Sequence, residues 1–350
     1  MKGNPLIPAA RTAEEAGVSS AAVLRFLDRL EESGLEFHAL TVLRHGKEAF
    51  RASFGEHRAD EPHVLYSVSK SFTSAAAGFA VEEGLLSYDT RVLDILGDEA
   101  PENPDEWLSS VTLHHLLCMG SGLRQCSDRI SHITGDGQEE DWARAVLACG
   151  CDAAPGTCFR YNSHGTYLVS CMVQKVTGMT VRDYLMPRLF EPLGIEKPHW
   201  EMSPQGVCCG GWGLYLSCED LSRFGECLLR GGVWQGKQLL PKAWLELATK
   251  AQIDNAHRTP APTIEWAQGY GYQFWRCTQN RYRADGMYGQ LLIIDAERDM
   301  VIAVNAHIED MAAEMALITD ELAPAADAAP GTQAEQELLR QRLAVLAGKA

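Results

Sequence analysis

The stretch "LYSVSKSFTSAAAGFAVEEG", residues 65–84, places a serine and a lysine three positions apart inside an unbroken run of small and aromatic residues. Phe72, Ala75, Ala76 and Phe79 recur at helical spacing and Gly84 offers a C-terminal stop, so the pattern predicts a helix that Ser67 opens. With alanines on several of its sides, such a helix suits a core position better than a surface one. Among the lysines of the chain, only Lys70 has a serine three residues before it. Residues three apart share one helix face, so a fold that buries this helix holds the Lys70 amine against the Ser67 hydroxyl.

That pairing has chemical content. A serine hydroxyl is a weak nucleophile at neutral pH and needs a base beside it and donors for the oxyanion it creates. A lysine desolvated among alanines and phenylalanines loses its preference for the ammonium form and can act as that base. The first helical turn adds free backbone N–H groups that favour negative charge beside the serine. The plainer alternative makes Ser67 an N-cap and Lys70 a solvated first-turn residue; the packed character of "SAAAGFA" weighs against it.

The 350 residues, 46% of them hydrophobic, supply core for one large domain or two intertwined ones. A formal net charge of −16 repels phosphate backbones and anionic lipid, and no dense Lys and Arg run offsets it. Neither nucleic acid nor a membrane is therefore an expected partner. No apolar core of signal-peptide length or bilayer-spanning run is present, which makes the cytoplasm the expected location. The eleven cysteines are odd in number and spread out, unlike a small secreted framework, and are expected to be reduced and to serve as small apolar residues. A metal site at Cys149, Cys151 and Cys158 is the sharper alternative, though it has neither a usual zinc spacing nor an evident fourth ligand.

Along the chain, "EFHALTVLRHG" and "EAFRASFG" read as strands joined by a Gly-Lys turn, and "YGYQFWRC", "QLLIID" and "MVIAVNAH" as strands near the other end. The middle reads as helical, and the alanine-rich tail as helix interrupted by "APAADAAPGT". These patterns predict an α+β fold with one antiparallel sheet drawn from both termini, flanked by helices and carrying a helical insertion. Residues 1–66 and 206–350 are expected to form a discontinuous α/β sheet domain, and residues 67–205 a mainly helical one with the nucleophile helix at the interface. "GDG" at residues 135–137 is a loop signal too short for a phosphate cradle.

"VTLHHLLCMGSGL", "PGTCFRYNSHGTYLVSCMVQKVTG" and "GGWGLYLSCEDLSRFGECLLRGG" follow Ser67 and Lys70 in chain order. With them the chain resembles the serine β-lactamase and penicillin-binding-protein-like hydrolases, in the class C-like branch that contains family VIII carboxylesterases, D-aminopeptidases and 6-aminohexanoate-dimer hydrolases. The resemblance runs from about residue 38 to residue 310. It implies the β-lactamase/transpeptidase-like fold, no cofactor and no metal. Ser67 becomes the nucleophile, Lys70 the base, and Tyr161 of the Tyr161-Asn162-Ser163 motif a proton relay. The N–H groups of Ser67 and Met287 become the oxyanion donors.

The sequence also departs from the family. Ser163 stands where relatives usually carry asparagine, and Ala284, Asp285 and Gly286 replace the Lys-Thr-Gly or His-x-Gly motif, so its cationic or imidazole group is missing. Ser163, Asp285, Gly286 and Tyr288 are candidate substrate contacts, with Asp285 equally open to a plain strand-ending role. His45, His114, His115, His164 and His307 read as surface or satisfied core residues, and no His-Glu-x-x-His pattern occurs. The expected activity is hydrolysis of a small ester or amide through an acyl-enzyme. The alternatives are a β-lactamase or D,D-peptidase, and a catalytically silent relative that only binds a ligand.

Overall fold

The computed structural model describes residues 6–127, 130, 140–257 and 262–348, so the "GDG" signal lies outside the described residues. The chain divides into two compact units, one of Met1–His63, Leu216–Arg230 and Gln279–Ala350, the other of Val64–Tyr215 and Gly231–Thr278.

In the first unit five strands pair antiparallel in the order Lys47–Ser53, Phe37–Arg44, Met300–Ala306, Gln290–Asp295, Tyr282–Gly286. The sheet is drawn from both termini, with Leu40 opposite Val304 and Val42 opposite Ile302. Its central strands are buried at nearly every position, so side chains on both faces must be covered. One cover is the Cys218–Leu229 helix, where a Cβ on Gly225 would sit 2.5 Å from Val301 Cγ1, so only glycine lets the helix approach this closely. The Ser20–Ser33 helix, capped by the Ser19 side chain, brings Phe26 edge-on to Phe37 at 6.3 Å between ring centroids. The Tyr282–Gly286 strand is buried throughout, and its Arg283 pairs with Asp285 at 2.8 Å. Nearby Glu314 is fully buried, and that burial, reinforced by the Asp285 charge, raises its carboxyl well above the usual range.

The second unit is built around the predicted helix, Ser69–Glu82, whose residues from Ser69 to Ala80 are all buried. It packs on the Ser163–Thr177 helix. The Lys242–Ala248 helix sets Trp244 over Gly78, where a Cβ would fall 2.4 Å from Trp244 Cγ. A buried helix this rich in hydroxyls needs acceptors for them, and the loops around it supply carbonyls. Ser71 donates to Gln273 O at 2.7 Å, Thr73 to Gly210 O at 2.8 Å and Ser74 to Tyr272 O at 2.9 Å. Ser69 donates to Tyr66 O at 2.6 Å and accepts from Leu214 N at 3.0 Å. The serines and threonine of "SKSFTS" thus tie the Ser69–Glu82 helix to its surroundings.

The expected division is redrawn: residues 64–66, 206–215 and 231–278 join the helical unit rather than the sheet unit, the last of them because Trp244 packs on Gly78 and donates its indole N–H to Ser74 Oγ at 3.0 Å. Within that segment "YGYQFWRC" forms strand only at Trp275–Arg276. Among the described residues, no helix is long and apolar enough to cross a membrane.

Candidate active site

Ser67 lies in a 3-10 turn, Tyr66–Val68, that runs into the Ser69–Glu82 helix. Its neighbour Tyr66 has φ 46°, a region costly for a bulky side chain and one that clusters at functional sites. The N-cap alternative fails, since no side chain caps this helix. Lys70, one turn on, is 1% exposed. Its Nζ lies 2.7 Å from Ser67 Oγ, 3.0 Å from Ser163 Oγ and 2.6 Å from Gly211 O.

Three oxygens match the three N–H groups of an ammonium. A neutral amine keeps two N–H groups, which Ser163 and Gly211 can accept, and turns its lone pair to the Ser67 hydroxyl. The arrangement therefore accommodates both protonation states with one heavy-atom geometry, which is what a base that takes and returns a proton requires.

Two of these partners were not legible beforehand. Ser163, expected to contact substrate, is 8% exposed and directs its hydroxyl to Lys70. It is the first residue of the Ser163–Thr177 helix, whose N-cap Asn162 accepts from the N–H groups of His164 and Gly165. Asn162 also donates to Leu123 O at 3.1 Å, which anchors the helix start. Gly211 was visible only as part of a glycine-rich turn. A Cβ there would meet Ser163 O at 2.5 Å, so the bare backbone is what lets its carbonyl reach Lys70.

Tyr161 offers its ring to the same lysine, with Lys70 Nζ 4.8 Å from the ring centroid. The ring stacks on Trp275 at 5.5 Å and meets Tyr270 edge-on at 6.3 Å. Gln125 Nε2 donates to the Tyr161 carbonyl at 2.6 Å. An aromatic cluster therefore fixes the phenol ring beside the amine.

The remaining site candidates belong to the sheet unit. Gly286 ends the Tyr282–Gly286 strand, and Met287, Tyr288 and Gly289 turn the chain into Gln290–Asp295. Gln290, which the sequence did not single out, donates through Nε2 to Met287 O at 3.2 Å, Tyr288 O at 3.1 Å and Ala306 O at 2.7 Å, and so sets the shape of this turn. Tyr288 has φ 60° and stacks on His307 at 4.6 Å. The charge of Asp285 is engaged by Arg283, which is fully buried.

Among the histidines, His45 pairs with Asp299 at 2.8 Å and His114 Nδ1 lies 2.7 Å from the Tyr272 hydroxyl. His115 forms a capping box with Thr112, and buried His164 has Nε2 3.1 Å from Ile130 O. The uniformly reduced thiols expected from the sequence are corrected by a bond between Cys126 and Cys149. That bond removes Cys149 from the cysteine metal alternative, and burial pushes the Cys151 thiol up to about 12.

An antiparallel sheet drawn from both termini, a helical unit, and a buried Ser-x-x-Lys pair together define the β-lactamase-like class of proteins. The chain belongs to the Beta-lactamase family, whose model matches residues 27–327. It is 26% identical over 291 residues to the 6-aminohexanoate-dimer hydrolase of Paenarthrobacter ureafaciens, covering 78% of this chain and 73% of that one. The fold is similar to that of the octameric penicillin-binding protein homologue from Pyrococcus abyssi, with a TM-score of 0.64, 17% identity and coverage of 92% and 80% of the two chains. It is also similar to EstCE1, a hydrolase with promiscuous acyltransferase activity, with a TM-score of 0.67, 17% identity and coverage of 85% and 94%.

Proposed function

We propose that the protein is a serine hydrolase that cleaves a small ester or amide by acyl transfer, with Ser67 as the nucleophile. The observation that carries this reading is the buried Lys70 amine, 2.7 Å from the Ser67 hydroxyl and held there by Ser163 and Gly211. In the proposed reaction Lys70 accepts the Ser67 proton as Oγ attacks the carbonyl, and Tyr161 passes a proton on to the leaving group. The N–H groups of Ser67 and Met287 stabilise the tetrahedral oxyanion, and water then releases the acyl group. Gly286 and Tyr288 are proposed to contact substrate, whereas Ser163 serves the lysine. The chemistry calls for no cofactor or metal, and a cytoplasmic setting and a small-molecule substrate go with it.

Gly211→Ala tests the lysine's support. The added methyl group, 2.5 Å from Ser163 O, has to push the turn and the helix start apart. Ester turnover is expected to fall by about 10²-fold, the cost of misplacing a catalytic group by about 1 Å, with helix content by circular dichroism retained. Unchanged turnover would remove Gly211 from the site.

The substrate class follows from the third motif. Ala284 offers a β-lactam carboxylate no hydrogen bond, and Arg283 is buried against Asp285. A charge-assisted bond to that carboxylate contributes about 1.5–3 kcal/mol, and short-chain esters do not need it. The kcat/KM for short-chain p-nitrophenyl esters is expected to exceed that for nitrocefin by at least about tenfold, equivalent to about 1.4 kcal/mol. Steady-state assays of both on one preparation decide it; nitrocefin turning over equally well would favour a β-lactamase.

A further inference from the structure

The sheet unit gathers imidazoles that the proposed hydrolysis does not use. Glu36 and His38 flank Phe37 at the start of the Phe37–Arg44 strand, and while Phe37 packs on Phe26 and Phe54, His38 Nε2 comes to 3.1 Å from Glu36 Oε1. The pairing register shifts between Phe37 and Ala39, so His38 sits at a bulge, a device that re-aims a side chain. After the neighbouring strand the chain turns through Gly55, at φ 64°, and brings the His57 ring onto the His38 ring, with centroids 3.5 Å apart and planes at 15°. His63 completes the group, its Nε2 lying 2.8 Å from His38 Nδ1.

We propose that Glu36, His38 and His57 form a binding site for a borderline divalent transition-metal ion such as zinc, with His63 orienting His38. One ligand atom from each of the three lies within 4.8 Å of the others. Two ligands on a tetrahedral zinc are about 3.4 Å apart at bond lengths near 2.1 Å, and because a metal lies in the plane of each imidazole that ligates it, closure turns the His57 ring out of its stack on His38. The parts are suited to it: His38 is 7% exposed and fixed by His63, whereas Glu36 and His57 are exposed and can turn. Two imidazoles and one carboxylate favour zinc, cobalt, nickel or copper over magnesium or calcium, and three protein ligands leave a fourth position for water.

The second imidazole of the pair supplies the outer-sphere partner that ligating histidines usually have. Without metal, His38 can donate Nε2–H to Glu36 and accept at Nδ1 from His63. With metal on Nε2, His38 carries its proton on Nδ1 and donates it to His63 Nε2, whose proton moves to its own Nδ1. The exchange conserves protons among neutral rings.

Titration of the tag-free full chain with zinc by isothermal calorimetry, and with cobalt by visible absorption, tests the site. One equivalent is expected to bind, with tetrahedral-type cobalt bands. His38→Gln and His57→Gln are each expected to weaken zinc by at least about tenfold. His63→Gln should weaken it by about 10–100-fold, the usual effect of removing an outer-sphere partner. Melting temperatures without metal check that the exposed-residue variants Glu36→Gln and His57→Gln remain folded. Absence of binding, or zinc affinity unchanged in both His38→Gln and His57→Gln, would overturn the proposal, since the metal would then rest on other histidines. Because the readout is binding alone, it is independent of whether Ser67 hydrolyses an ester.

Discussion

Ser67→Ala is expected to abolish covalent labelling by a fluorescent phosphonate and to lower p-nitrophenyl ester turnover by about 10⁴-fold or more, the scale on which removal of a serine nucleophile acts. The native protein should gain the mass of one phosphonate by intact-mass analysis, and the variant none. The substitution removes one oxygen and leaves Lys70 bound to Ser163 and Gly211, so the fold should persist and the loss should be chemical. Labelling that persists in the variant would place the nucleophile elsewhere. A native protein that neither labels nor turns over any ester or amide would instead support the ligand-binding relative.

The second large effect concerns the proton. Lys70→Ala is expected to lower turnover by about 10²–10⁴-fold, the usual contribution of positioned proton transfer. It also strands the Ser163 hydroxyl and the Gly211 carbonyl in a buried place, which costs about 1–3 kcal/mol for each group left unpaired, so the melting temperature should fall as well. Tyr161→Phe separates chemistry from packing more cleanly. The ring, its stack on Trp275 and its contact with the Lys70 amine are all kept, and only the hydroxyl is lost. A fall of about 10²-fold or more at unchanged melting temperature would identify the phenol as the relay. Near-wild-type turnover would leave Tyr161 only the role of holding the amine.

The legible parts of this protein were those encoded over short distances. Ser67 and Lys70 are one helical turn apart, so helix geometry alone brings them together, and the apolar strands near each terminus announced a sheet built from both ends. Side-chain spacing along a helix or strand is fixed by backbone geometry, and reading it needs no knowledge of the rest of the chain. What Lys70 touches beyond Ser67 was decided elsewhere: Ser163 lies 93 residues away and Gly211 141 residues away. Only packing of the Ser163–Thr177 helix against a turn too tight for a Cβ puts both oxygens on the amine. The same holds for Trp244 on Gly78, which moved residues 231–278 into the helical unit, and for His38, His57 and His63. Their convergence depends on a bulge and a left-handed glycine, which redirect side chains by amounts that residue type and spacing do not carry. Sequence by itself determined which groups could react. Tertiary structure decided which of them are held in place, because contacts across long loops are set by the shape of the packed core and not by the local period of the chain.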